Sequence, residues 1–424
     1  MKEKILNFIK KSEALAVELE TELCKRPAVS PESGGEGELE KCRFLEDWLK
    51  NHGFTQLERY DAPDSRARGG VRPSLIATIP GRDEGPETAR LWIMSHIDVV
   101  PPGETALWER DPWTAALADG GTGPDGKPLG RRIIGRGVED NQQGLVSSVL
   151  AALALITQGI SPARTVKLLF AADEENGSAY GIDWLLKNHG NLFRASDMVL
   201  IPDSGDRKGE SIEVAEKNLL WIRFTTHGVQ AHGSRPDQGA NAHLAGAELA
   251  VRLHYDLMKK FSARDPLFEP DYSTFEPTKK EANVPNVNTV PGEDVFCMDM
   301  RLLPHYPVKQ VLAEVDTIKA RIEAAQGVTV SYEILQRIES KATSGDAPLI
   351  QLLSKTIREV YGVDPRPVGI GGGTVAAYLR NAGIDSGVWA RIDNTAHQPN
   401  EYALIDNILG DAQVMALLMV AEGT

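Results

Sequence analysis

A histidine and an aspartate two residues apart, His96-Ile-Asp98, close the apolar run Leu91-Trp-Ile-Met-Ser, which lacks turn formers and reads as a buried strand. There the imidazole can turn one nitrogen outward while the carboxylate holds the proton on the other, as a divalent cation requires of a neutral ring. Taken alone, the pair fits a hydrogen-bonded loop histidine better. The chain supplies more groups of the same kind. The strand expected over 166–172 ends at Asp173-Glu174-Glu175, that over 198–201 ends at Pro202-Asp203, and that over 386–392 ends shortly before His397. Asp140 stands at the mouth of a helix expected over 142–158. In open parallel sheets, ligands bind in the crevice outside the carboxyl ends of the strands. So many carboxylates gathered there need a counter-cation.

His96, Asp140, Glu175, Asp203 and His397 form a nitrogen and oxygen donor set without sulfur, suited to zinc, cobalt or manganese. Five side chains exceed one tetrahedral ion but fit two ions that share a carboxylate. Glu174, beside a ligand, is then the natural general base, and Asp98 orients His96.

The elements that must position these groups alternate strand and helix up to about residue 213, which predicts a mostly parallel sheet covered by helices. A helix is expected over 5–23 and another over 38–51. Residues 103–130, rich in Gly, Pro, Asp and Trp, read as a long functional loop. From 214 to 336 the pattern changes to two strand–helix units with a proline-rich irregular stretch between them, a smaller α+β domain. Residues 1–213 and 337–424 then form one discontinuous catalytic domain.

A chain of 424 residues is too long for one core. Its 60 acidic against 46 basic residues, net −14, argue against a nucleic-acid partner and suit a small-molecule enzyme. Cys24, Cys42 and Cys297 are scattered, suggesting neither disulfides nor a thiolate metal site. There is no apolar signal core and no run long enough to span a membrane, so a cytoplasmic protein is expected. The glycines of 369–373 lack the Gly-Lys-Ser/Thr of a phosphate loop, and Ser204 and Ser234 lack a nucleophile elbow. His52, His189, His227, His243, His254 and His305 have no partner motif and read as structural or surface residues.

Ser95-His-Ile-Asp-Val-Val-Pro101, Gly135-Arg-Gly-Val-Glu-Asp-Asn-Gln-Gln-Gly144, Asp173-Glu-Glu-Asn-Gly177, Gln230-Ala-His-Gly-Ser-Arg-Pro236 and Asn394-Thr-Ala-His-Gln-Pro-Asn-Glu401 resemble, in order, the motifs of the M20 metallopeptidase family. That family includes acetylornithine deacetylase, succinyl-diaminopimelate desuccinylase, aminoacylase, glutamate carboxypeptidase and dipeptidases. The resemblance implies Asp140 as bridging ligand followed by a cis peptide, His96 and Asp203 on one metal, and Glu175 and His397 on the other. It makes Glu174 the base on a metal-bridging water, and 214–336 a lid that mediates homodimerisation. It implies that His232 reaches into the partner subunit's site to steady the oxyanion. Asn288, Arg301, Gly373 and Thr374 match positions that hold substrate, and Lys217 one that is often basic in desuccinylases. Asp203, where many deacylases carry Glu, is more like the dipeptidase and aminopeptidase branches. Val375-Ala-Ala also replaces an acidic group often found just after Gly-Gly-Thr, and both departures argue against a simple desuccinylase. The expected reaction is hydrolysis of an N-acyl amino acid or dipeptide with a free carboxylate. The alternatives are a catalytically silent relative that binds peptides or amino acids and an aminopeptidase on longer peptides.

Overall fold

The computed structural model describes residues 1–424 except 84, 86, 87, 124, 125, 423 and 424, so two residues of the long loop fall outside it. The chain forms two units, one of 1–214, 343–367 and 378–424, the other of 215–342 and 368–377.

The main sheet has eight strands in the order Leu57–Pro63, Val71–Ile79, Val166–Ala171, Leu91–His96, Met198–Asp206, Asp385–Arg391, Ser211–Glu216 and Arg366–Ile370. Its four middle strands are parallel, and the first two pair antiparallel. All six residues of Leu91–His96 are buried, as a strand covered on both faces must be. Two helices lie together against the sheet. Gly144–Thr157 is buried from Gly144 through Leu155, and Ile405–Val420 packs on it with nearly every residue buried. Helices apolar on all sides belong in such a core. The mostly parallel α/β sheet matches the sequence expectation. Register does the positioning: His96 pairs with Ala171, and Ile93 with Leu200. His96 therefore ends its strand level with Asp203. Asp203 lies inside Met198–Asp206, a strand that runs past the expected 198–201 and whose pairing with Asp385–Arg391 is irregular between Ile201 and Gly205.

Several elements differ from expectation. The first helix is two, Lys2–Lys10 and Glu13–Cys24, broken where the Ser12 hydroxyl donates back to the Phe8 carbonyl at 2.9 Å. The long loop contributes Ala116–Ala118 to a small ribbon with Arg132–Ile134 and Tyr402–Leu404.

In the second unit an antiparallel sheet runs Thr274–Lys280, Glu293–Leu302, Asn218–His227, Thr329–Ile338. Leu220, Ile222 and Phe224 alternate along their strand and pack with Leu249, Leu253, Val311 and Val315 from helices Ala242–Lys260 and Val308–Gln326. The Thr274–Lys280 strand lies in the stretch read as irregular. It is an edge strand whose register shifts between Pro277 and Lys279, the place where a sheet tolerates proline. No described helix is long and apolar enough to cross a membrane.

Candidate metal centre

His96 ends its strand with its ring fixed at both nitrogens. Nδ1 lies 3.0 Å from the Asp98 backbone carbonyl and 3.4 Å from Asp98 Oδ1. Nε2 faces Asp140 Oδ1 at 2.9 Å and Asp203 Oδ1 at 3.6 Å. The main chain of Asp98 is thus the nearer orienting group, where its side chain was expected. The carboxylate has a second task that the sequence did not reveal. Its two oxygens accept the backbone N–H groups of Glu174 and Glu175, each at 3.1 Å, and so hold the turn that carries both glutamates.

Asp140 offers one oxygen to each imidazole: Oδ1 to His96, and Oδ2 to His397 Nε2 at 3.1 Å. A cis peptide follows it, between Asp140 and Asn141. His397 Nε2 is also 3.2 Å from both Glu175 oxygens. Asn141, unassigned in the sequence reading, donates through Nδ2 to Asp203 Oδ1 at 2.6 Å and to the Pro202 carbonyl at 2.7 Å, orienting that carboxylate. Among the described residues, two groups have ligand atoms within 4.8 Å of one another: His96, Asp140, Glu175, and His96, Glu174, Asp203.

The charges are unbalanced in a consistent direction. Burial alone would lower His96, but hydrogen bonds to Asp140, Asp203 and Asp98 outweigh it and raise the imidazole well above its ordinary pKa. Asp140 and Glu175 push His397 up to about 10. Burial, then the Asp203 charge, raises Glu174 well above the usual carboxylate range. Carboxylates outnumber the cationic groups that face them, and the donors are all nitrogen or oxygen. The residues therefore fit divalent cations of the zinc, cobalt or manganese type.

The other candidates lie in the second unit. The Ala231–His232 strand pairs with Thr289–Val290, and the Gly233 N–H donates to the Asn288 carbonyl at 2.7 Å, which brings His232 and Asn288 together. His232 Nδ1 accepts from the Ser234 backbone N–H at 3.1 Å, so in the neutral ring the proton sits on Nε2. Arg301 is already engaged. Its Nε and Nη2 donate to Asp299 at 2.7 and 2.9 Å, and Nη1 donates to the Gly371 carbonyl at 2.8 Å. Thr374 Oγ1 donates to Glu216 Oε1 at 2.6 Å, and Lys217 Nζ donates to the Pro270 and Tyr272 carbonyls. Of the bystander histidines, His52 stacks on Trp48, and His254 bonds the Phe275 carbonyl.

The family model described as Peptidase family M20/M25/M40 matches residues 92–421. An uncharacterized metallohydrolase of Methanococcus maripaludis is 37% identical over 94% of this chain and 97% of its own. A succinyl-diaminopimelate desuccinylase of Cereibacter sphaeroides is 27% identical over 92% of this chain and 94% of its own. In fold, the chain is similar to a di-peptidase from Saccharomyces cerevisiae, with a TM-score of 0.72, 17% identity, and coverage of 99% and 98%. The chain belongs to peptidase family M20/M25/M40. It is a metallohydrolase.

Proposed function

We propose that this protein hydrolyses the amide bond of an N-acyl amino acid or dipeptide bearing a free carboxylate, using two divalent cations. His96 and Asp203 hold one, Glu175 and His397 the other, and Asp140 is shared. The observation that carries this reading is Asp140, whose two oxygens face the two imidazoles separately. When bound, such cations polarise an amide carbonyl and acidify the attacking water. Glu174, grouped with His96 and Asp203, takes the water's proton and passes it to the leaving amine. His232, with its proton on Nε2, donates to the oxyanion from a partner subunit, and residues 214–336 form the lid through which a homodimer assembles. Asn288, Gly373 and Thr374 hold the substrate's polar ends, Arg301 joins them by exchanging its Asp299 partner for the substrate carboxylate, and zinc is the cation best matched to the donors.

Purified protein should contain two metal ions per chain and turn over part of a panel of N-succinyl, N-acetyl and dipeptide substrates with zinc, cobalt or manganese. Full metal content with no hydrolysis across the panel would instead identify a binding protein.

A further inference from the structure

Two carboxylates in the first unit are exchanged between the segment that carries Asp140 and the segment that carries His397. Glu139, next to Asp140, sends its side chain into the other segment. There its Oε1 accepts the Asp393 N–H at 2.7 Å, and its Oε2 accepts the Ala396 N–H at 3.0 Å, the Thr395 hydroxyl at 2.9 Å and the Thr395 N–H. Glu401, four residues beyond His397, sends its side chain back. Its oxygens accept the N–H groups of Gly137, Glu139 and Asp140 at 3.0, 2.9 and 3.0 Å, and Arg136 Nη1 donates to it at 2.6 Å. Both carboxylates are buried, 4% exposed for Glu139 and 0% for Glu401.

The exchange sits inside a longer zipper. At one end Tyr402 pairs with Ile134, and the Gly135 N–H donates to the Glu401 carbonyl at 3.0 Å. At the other end Gln143 Nε2 donates to the Arg391 carbonyl at 2.8 Å and to Asp411 at 3.0 Å, while Asp411 also accepts the Arg391 N–H. Glu139 holds loop backbone at 393–396, and Glu401 holds N–H groups at the start of the helical turn Val138–Gln143. Asn394, His397 and Asn400 have φ of 61°, 64° and 59°, a left-handed conformation that costs free energy in residues with a Cβ. Without partners, the amides of 393–396 would be free to relax away from it.

We propose that Glu139 and Glu401 are reciprocal positioning residues, Glu139 setting the His397 loop for one cation and Glu401 setting Asp140 for both. This rests on the two-cation reading above. Neither residue touches substrate; each acts through main-chain amides on a ligand. The two therefore leave different signatures. Glu139→Ala frees the His397 loop alone, whereas Glu401→Gln disturbs the shared ligand.

The test is metal stoichiometry and affinity, by elemental analysis and Co²⁺ titration followed by visible absorption, on the full chain. Wild type should bind two ions. Glu139→Ala should bind one ion as wild type does and the second about 10–100-fold more weakly, the usual effect of removing an outer partner of a ligand. Glu401→Gln should weaken both. Thr395→Val, nearly isosteric, removes the hydroxyl that bonds Glu139 and Tyr402 within the same exchange, and should move the second ion in the same direction by less; it decides the matter if Glu139→Ala fails to fold. Leu153→Ala, a core substitution in Gly144–Thr157, controls for lost stability and should leave both affinities unchanged. Wild type binding fewer than two ions would sink the two-cation reading and this proposal with it. Wild type binding two, with Glu139→Ala and Thr395→Val unaltered, would overturn the positioning role alone.

Discussion

The two halves of the centre are built by different means. The His96 half stands on the sheet: its ring is 3% exposed, its strand is buried throughout, and Asp203 lies within the neighbouring strand Met198–Asp206. The His397 half stands on a loop with left-handed residues, and its imidazole is 54% exposed. Strand pairing sets where His96 and Asp203 stand, and Asp98 and Asn141 then orient the two side chains. In the second, the loop amides are held by one carboxylate, Glu139, delivered from another segment. A site on regular elements inherits their precision, whereas one on a loop must have it supplied.

The contrast can be broken first at its shared member. Asp140→Asn should lose both ions and all measurable turnover, the largest effect expected, and His96→Ala should come close to it; elemental analysis reads both. His397→Ala should keep the ion of the sheet-built half and lose only the other. If His397→Ala strips the protein of all metal, the halves are not separable and the comparison fails. Glu174→Gln should cost about 10²–10⁴-fold in kcat with metal content intact. Near-normal turnover would show that the base lies elsewhere.

The smallest effect concerns the buried Asp411 at the far end of the zipper. Burial pushes its carboxyl from 3.8 up to about 7, partly offset by hydrogen bonds from Tyr361, Arg391 and Gln143. The folded protein thus holds a proton that the unfolded chain releases, so stability should fall as pH rises from about 4 to about 7. Asp411→Asn should remove about one proton's share of that slope. Thermal melts across this window would read it, and an unchanged slope would show that Asp411 is ionised throughout.

Much of the architecture was legible because apolar runs that end in His, Asp or Glu are easy to see, and parallel strands bury both faces. His96, Glu174, Glu175 and Asp203 are read from such ends, and the coordinates bring them together with Asp140 and His397. What was not legible depends on partners far away in sequence. Glu139 looks like one more acidic residue at a helix mouth, and Glu401 like a surface glutamate after an Asn. Only the fold shows that each caps the amides of the other's segment. Arg301 suits a substrate carboxylate by type, yet its fork is filled by Asp299 on the same strand, a pairing at i and i−2 that strand alternation makes visible in hindsight. The Thr274–Lys280 strand was hidden by Pro277, which suggests a break unless the strand is known to lie at an edge.

The Thr395 hydroxyl and the Glu139 carboxylate that accepts its proton are separated by 256 positions in the chain. During synthesis, the stretch bearing His96, Asp140 and Glu174 therefore leaves the ribosome long before its complement exists. A fragment ending between residues 175 and 392 carries the base but neither His397 nor the amides that Glu139 accepts from. Such a nascent chain should be inert toward peptides around it, since hydrolytic competence waits on a very distant pairing.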